Sequence, residues 1–387
     1  MSRREGLRIV RLANFVTPES GGLRTALRAL GGGYLAAGHE PVLVIPGTHL
    51  DEETTAQGTV LTLPGRLLPG TGGYRVLTDR RRLVRRLAQL APDRLEVSDR
   101  TTLHWTGEWA RRARIPAVMV SHETVNGVLA TWGVPEPTAR RAADRLNRRT
   151  ARAYTRVVCT TAWAEREFTR IGARNVVRAP LGVDLGGCHP DGRSAAARAR
   201  YARAGETLLV LCSRLSVEKR PGTALDALRV LRDRGEWAVL VVAGDGPLRK
   251  RLAARARAER LPVAFLGHVS DPRELAALRA TADVCVAPGP AETFGLAALE
   301  ALACGTPVAV SASSALPEIV GGAGAAARDD GGSFADAVQL LLSRPEATRR
   351  AAARARAEHY SWRESTRAFL SAHDADSSRL AGAEGAV

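Results

Sequence analysis

Lysine is nearly absent from this sequence. Of the 56 cationic residues in the 387-residue chain, Lys219 and Lys250 alone are lysine, which leaves 54 arginines. Methionine occurs twice and aromatic residues make up 4%. Arginine, alanine, glycine, leucine and valine abound where lysine and methionine are scarce, a bias that follows GC-rich codon usage. The net charge of +16 is therefore discounted as a nucleic-acid signal. A nucleic-acid binder would also need a reader motif or a set of stacking aromatics, and neither accompanies the charge. The excess can still attract anionic surfaces.

Other absences narrow the class further. The five cysteines (Cys159, Cys188, Cys212, Cys285 and Cys304) are scattered and form no C-x-x-C pair. That excludes a disulfide framework or a zinc site and suits reduced thiols in a cytoplasm. No uninterrupted apolar run approaches the ~18–20 residues of a membrane-spanning helix. The start, MSRREGLRIVRLANF, lacks the apolar core and cleavage site of a signal peptide. A content of 45% hydrophobic and 25% charged residues is ordinary for a globular protein, and the length allows two or three domains.

What is present is a repeating alternation of strand and helix patterns. Strands are expected at 7–14, 41–47, 59–65, 95–99, 116–122 and 156–161, then again at 208–214, 238–244, 263–269, 284–289 and 307–311. Most are continuous apolar runs, as in parallel strands buried on both faces. Helical patterns such as GLRTALRALGGGYLAAG (22–38) lie between them. Two successive sets of β-α units predict an α/β chain of two doubly wound domains facing a central cleft. The turn-rich stretch LGVDLGGCHPDGRS (181–194) marks the break, and DADSSRLAGAEGAV (374–387) reads as a disordered tail.

Ligands of such sheets bind beyond the carboxyl ends of the strands. After the first strand, Gly21 and Gly22 open a helix whose bare N–H groups could meet a phosphate, although a glycine pair there is often only a turn. After the first strand of the second half comes CSRLSVEKRP (212–221). In a chain that nearly always uses arginine, Lys219 is an informative choice. Arg214 could grip a diphosphate bidentately while Lys219 meets it as a point charge.

The stretch PAETFGLAALEALACGTPVAV (290–310) carries the strongest signal. Between Leu296 and Cys304 the one polar side chain is Glu300. A helix apolar all round is buried, so Glu300 needs hydrogen-bond donors, and a ribose diol supplies two. Glu292 precedes the helix, eight residues earlier, which is roughly 12 Å of helical rise. That distance suits a nucleotide sugar with its sugar near the helix start. The plain alternatives are a dipole-favouring acid at Glu292 and a salt bridge to an arginine at Glu300. Asp329-Asp330 reads as a turn.

With Arg214 and Lys219 upstream, the Glu292-x7-Glu300 set resembles the retaining glycosyltransferases of the two-domain GT-B fold (family 4). The likeness extends through SGGLRTAL (20–27), AAGHEPVLVIPG (36–47), APLGVDL (179–185), AGDGPL (243–248), LGHVSD (266–271) and Ser361-Trp362. Within that family, VRLANFVTPESGGLRTALRALG (10–31), TGGYR (71–75) and LEVSDRTTL (95–103) are similar to actinobacterial GDP-mannose-dependent phosphatidylinositol mannoside mannosyltransferases, those extending the dimannoside.

The resemblance implies an acceptor domain over 1–182, a nucleotide-sugar domain over 183–360, and a helix over 361–373 returning to the first domain. Arg214 and Lys219 then match the pair that stabilises the leaving diphosphate, Glu300 the ribose ligand, and Glu292 the acid beside the sugar. Phe294, Gly295 and Leu296 match the loop meeting sugar and phosphate, Gly22 the amino-domain glycine, and His122 the histidine of the sugar pocket. Val269 falls where relatives contact the base. Arg24 and Tyr74 are candidate acceptor contacts. Cys188 stands where relatives carry an aromatic residue.

No metal or cofactor is required, since Arg214 with Lys219 can replace its charge; magnesium is compatible but not implied. The expected reaction is retaining transfer of mannose from GDP-mannose to a phosphatidylinositol mannoside-type lipid. A UDP-sugar donor or a soluble acceptor is the alternative, and a nucleotide-sugar epimerase of similar fold a further one. The arginine runs at 79–87 and 139–152 fit solvated helix faces or an anionic membrane surface. The expected partners are thus a nucleotide sugar, a lipid acceptor and the inner face of the plasma membrane, with no nucleic acid.

Overall fold

The computed structural model describes residues 6–16, 21–68, 73–131, 133–378 and 380. Residues 17–20 and 71–72 of the segments singled out above lie outside the described residues, as do 379 and 381–387 of the expected tail. The chain divides into two compact units, 1–182 with 362–387, and 183–361.

The first unit holds strands β1 (Arg8–Leu12), β2 (Glu40–Gly47), β3 (Asp51–Thr55) and β4 (Gly58–Pro64). A short pair follows, β5 (Arg66–Leu67) and β6 (Arg75–Val76), then β7 (Arg94–Val97), β8 (Ala117–Ser121), β9 (Arg156–Cys159) and β10 (Val176–Arg178). Eight of them form one sheet in the order β10-β9-β8-β7-β1-β2-β4-β3. All neighbours are parallel except β3 with β4. The order reverses between β1 and β7, so the loops after those two strands diverge and leave a crevice.

β3 is absent from the expected strands because its sequence, DEETT, has no apolar pattern. It forms through a tight hairpin in which Gly58 adopts φ +101° with its Cα hydrogens against the Pro41 carbonyl. The acidic, exposed edge discourages further strand addition.

A buried ionic cluster closes this unit. Arg11 Nε donates to Glu96 Oε1 at 2.8 Å and Tyr34 Oη donates to Glu96 Oε2 at 2.6 Å. His373 Nε2, from the residue just after the helix Trp362–Ala372, lies 3.1 Å from the same Oε2. All four residues are essentially inaccessible. The paired cation and donors hold Glu96 far below the usual carboxylate range, against the opposing effect of burial. Asp374 then pairs with Arg156, His39 meets the Asp376 carbonyl, and Leu380 is buried. The first part of the stretch read as a disordered tail therefore contributes contacts, because it supplies partners to polar groups at the amino ends of β2 and β9.

The second unit holds β11 (Thr207–Cys212), β12 (Ala238–Ala243), β13 (Val263–Gly267), β14 (Val284–Ala287), β15 (Val308–Ser311) and β16 (Gly324–Ala327), in the order β13-β12-β11-β14-β15-β16. Every adjacent pair is parallel. Counted within the unit this is the order 3-2-1-4-5-6 of a Rossmann domain, with its switch point between β11 and β14. Leu208 to Leu211 and Leu240 to Val242 are 0–1% exposed, which explains their unbroken apolar runs. Each such side chain contributes about 1.5–3 kcal/mol of burial.

Candidate active site

The switch point of the second unit carries the candidate chemistry. After β11 the chain passes Ser213 and the exposed Arg214, then enters a single turn, Val217–Lys219. Arg220 takes a left-handed conformation (φ +44°) and the helix Pro221–Asp233 begins. That sharp turn leaves Lys219 at the end of the loop, its backbone packed on Gly289 beyond β14, where a Cβ would meet Lys219 Cα at 3.4 Å. The AGDG stretch after β12 locks the same loop from the other side. Leu215 N donates to the Asp245 carbonyl at 2.9 Å and Leu248 N to the Leu215 carbonyl at 3.0 Å. A Cβ on Gly246 (φ +155°) would stand 2.6 Å from the Leu215 oxygen.

The helix Leu296–Ala303 begins at Gly295 with φ +79° and no side-chain cap. A Cβ at Gly295 would lie 2.1 Å from Leu316 Cδ2, so both conformation and space demand glycine. The helix therefore presents uncapped N–H groups and the positive end of its dipole, a ready anion site. It stops at Gly305 (φ +75°), two residues before Pro307. Phe294 is 4% exposed and meets Tyr360 edge to face at 6.0 Å, which anchors the loop before the helix.

Glu292 and Lys219 meet at this place. Lys219 Nζ stands 2.5 Å from Glu292 Oε1, with side-chain exposures of 30% and 24%. Together with Cys212, Ser213, Val286, Ala287, Pro288, Gly289, Gly295, Ala297, Ala298 and Leu316 they line an open recess. A cation, a carboxylate and a helix amino terminus thus converge on one recess at the carboxyl end of a parallel sheet.

Glu300 meets an arginine, the plain alternative read from the sequence, and is less buried than its apolar surroundings suggested. Its side chain is 24% exposed and its Oε2 lies 2.6 Å from Arg279 Nη2. Arg279 belongs to the neighbouring helix Pro272–Thr281 and is 5% exposed. A polar partner from another helix was not visible in the periodicity of either segment. The available signal was Arg279 itself, one arginine in the small, apolar run LRATADVCV before a buried strand.

Of the other predicted residues of this unit, Leu296 is buried, and Val269 is half-buried just after the edge strand β13. Cys188 packs with the buried Cys304 beside Ala276 and Ala280. Asp330 caps the helix Gly331–Leu342 and Asp329 accepts from Ser311, which agrees with a structural turn. Cys212 and Ser213, which line the recess, were missed. Among the described residues no group of three or more His, Cys, Asp or Glu could hold a metal ion.

His122, Gly22, Arg24 and Tyr74 belong to the first unit. His122 follows β8 and its Nε2 lies 3.2 Å from Ser98 Oγ, just beyond β7. Burial pushes its pKa down to about 4, with Glu96 opposing and Arg11 reinforcing the shift. Its imidazole is therefore neutral near pH 7. Gly22 starts the helix Gly22–Ala36, which has no side-chain cap, and Arg24 is exposed on its first turn. Tyr74 packs edge to face on Phe15 at 6.0 Å. Asn14, a fully buried residue that no sequence motif singled out, ties this crevice together. Its Nδ2 donates to Asp99 and Thr102, and its Oδ1 accepts from Leu77 N.

Comparison with known proteins places this geometry. Residues 21–182 match the glycosyl transferase 4-like domain, and residues 195–358 match the glycosyl transferases of group 1. The chain belongs to the glycosyl transferases of group 1. It is 48% identical over 367 residues to the GDP-mannose-dependent alpha-(1-6)-phosphatidylinositol dimannoside mannosyltransferase of Mycobacterium tuberculosis, covering 94% of this chain and 95% of that protein. Among solved structures it resembles sucrose-phosphate synthase from Thermosynechococcus elongatus, with a TM-score of 0.76 at 21% identity, covering 95% and 98% of the two chains. It also resembles Anabaena Alr3699/HepE in complex with UDP and glucose, with a TM-score of 0.73 at 18% identity, covering 94% and 98%. The two Rossmann-like domains are those of the GT-B fold, and the glycosyltransferase is an enzyme.

Proposed function

We propose that this glycosyltransferase moves mannose from GDP-mannose to a phosphatidylinositol mannoside-type lipid, with retention of anomeric configuration. The observation that carries the donor side is the convergence of Lys219, Glu292 and the uncapped helix at Gly295 on one recess of the Rossmann switch point. The sugar and acceptor rest on 48% identity across nearly the whole chain to a mannosyltransferase whose name carries both.

The chemistry follows from charge. As the bond from sugar to diphosphate breaks, negative charge grows on the departing oxygens. In this reading Lys219 and the N–H groups of the first helical turn after Gly295 stabilise it, joined by Arg214 from the same loop. A diphosphate would draw Lys219 from Glu292, freeing that carboxylate to accept from hydroxyls of the transferred sugar. Glu300 serves the ribose, while His122, as a neutral imidazole, serves the sugar by hydrogen bonding. Arg24 and Tyr74 serve the acceptor in this reading. A leaving phosphate oxygen takes the proton of the attacking hydroxyl, so no protein base is needed.

The test is a labelled-donor screen. GDP-mannose with purified phosphatidylinositol dimannoside should give a product of one added hexose whose linkage is hydrolysed by an α-mannosidase. Transfer from UDP-glucose but not GDP-mannose would overturn the donor. Labelled mannose appearing only on a water-soluble product would overturn the acceptor. Interconversion of free nucleotide sugars without acceptor would replace transfer by epimerisation.

A further inference from the structure

Arg279 is a buried cation that the chemistry above does not use. It is 5% exposed, and its Nε has no hydrogen-bond partner. An arginine so placed is costly unless an anion compensates it. The compensating group is Glu300, whose Oε2 stands 2.6 Å from Nη2. The remaining neighbours that act on the guanidinium are the thiols of Cys212, Cys188 and Cys304, weak acceptors that compete poorly for it. Cys212, one of these thiols, itself lines the recess that holds Lys219 and Glu292.

The arrangement is asymmetric. Arg279 sits deep between two helices while the Glu300 side chain keeps 24% of its surface open. Glu300 Oε2 is held by Arg279, while part of the Glu300 side chain stays open. The backbone of Arg279 is held in turn, since Thr306 Oγ1 donates to the Arg279 carbonyl at 2.7 Å.

We infer that Arg279 is a positioning residue, which anchors one oxygen of Glu300 so that the carboxylate is presented in a single orientation to the ribose hydroxyls of the donor. This rests on the reading above that Glu300 holds the ribose. The anchored acid accepts from hydroxyls without first surrendering rotamer freedom, so its worth lies in binding the ribose, not in the chemical step. A residue that merely stabilised the fold would change binding of every nucleotide alike.

The experiment compares GDP with 2′,3′-dideoxy-GDP by isothermal titration of the full-length protein. Wild type should prefer GDP by on the order of 10- to 100-fold, the worth of one or two hydrogen bonds to a charged acceptor. Glu300→Ala should bring that ratio close to one. Arg279→Met should lower it at least about fivefold, leave affinity for the dideoxy compound within about twofold, and add nothing further in the Glu300→Ala background. Arg279→Lys, which keeps the charge without the planar fork, should lie between and carries the test if the methionine variant does not fold.

The outcomes separate the two ideas. If Glu300→Ala leaves the wild-type ratio intact, ribose recognition by Glu300 fails. If Glu300→Ala collapses the ratio while folded Arg279 variants keep it, the positioning role alone is overturned. Equal loss of affinity for both nucleotides in the Arg279 variants would likewise overturn it.

Discussion

Lys219 and Glu292, 73 residues apart, form an ion pair of 2.5 Å at the mouth of a Rossmann switch point. Both side chains are partly open to solvent, and exposed pairs contribute at most about 1 kcal/mol to stability. The arrangement therefore predicts a separation of stability from activity. Lys219→Ala should lower kcat by on the order of 100- to 1,000-fold while moving the unfolding free energy by less than about 1 kcal/mol. Steady-state kinetics beside urea unfolding would check both. A variant with near-normal turnover would remove Lys219 from the transition state. Glu292→Gln should also slow turnover; a variant as fast as wild type would leave Glu292 only the role of neutralising Lys219.

Gly295 makes the opposite prediction, in which stability and binding fall together. Its φ of +79° costs an L-residue about 1–2 kcal/mol, and its Cβ would overlap the buried Leu316. Gly295→Ala should therefore destabilise by at least about 2 kcal/mol and weaken binding of GDP as the helix amino terminus shifts. Adding Leu316→Ala should relieve the steric part and leave the conformational part. In a double-mutant cycle the coupling should be favourable by roughly 1 kcal/mol or more. Additive effects would show that the backbone moves freely there.

His122 carries the pH dependence. Its pKa is pushed down to about 4, below the unfolded value near 6.5. Between those values the unfolded chain holds a proton that the folded chain does not, so stability rises with pH through that window. His122 thus costs the fold nothing above pH 6.5 and progressively more as pH falls toward 4, up to about 3 kcal/mol before allowance for partial solvation. Subtracting the profile of His122→Asn from that of wild type isolates the effect. The difference should be flat above pH 7 and grow below 6. A difference that is flat throughout would mean that the imidazole titrates normally.

These predictions draw on features of unequal legibility. The central strands were readable because burial on both faces makes their sequences unbroken apolar runs, as in Leu208 to Leu211. β3 was not, since hairpin geometry and pairing with β4 make DEETT a strand, not any periodicity of its own. Lys219 was readable through rarity, and Glu292 and Glu300 through their spacing and, for Glu300, its apolar surroundings. Their partners were hidden. Arg279 and Asn14 act across elements distant in sequence, and a single chain records neither which helix faces which nor which polar group a buried amide meets. The Lys219–Glu292 contact likewise appears only when the loops after β11 and β14 are brought side by side.

The helix Glu136–Ala153 bears on where the enzyme works. Arg140, Arg141, Arg145, Arg148, Arg149 and Arg152 are exposed on it, while Ala139, Ala143, Asn147 and Thr150 face inward. Asp144 is occupied by Arg170 at 2.5 Å, so it does little to neutralise the row. Among the described residues no helix is long and apolar enough to cross a membrane. Basic residues near an anionic bilayer are worth about 1 kcal/mol each at moderate salt. Replacing Arg141, Arg145, Arg148 and Arg149 with glutamine should then weaken partitioning onto phosphatidylglycerol vesicles by on the order of 100- to 1,000-fold. Flotation should also fade between 0.05 and 0.5 M salt, as the screening length shortens from roughly 14 Å to about 4 Å. GDP binding should be unaffected, which separates lost docking from lost folding. If the wild-type enzyme fails to float even at low salt, the row of arginines is a solvated helix face, and the acceptor is reached without help from bilayer charge.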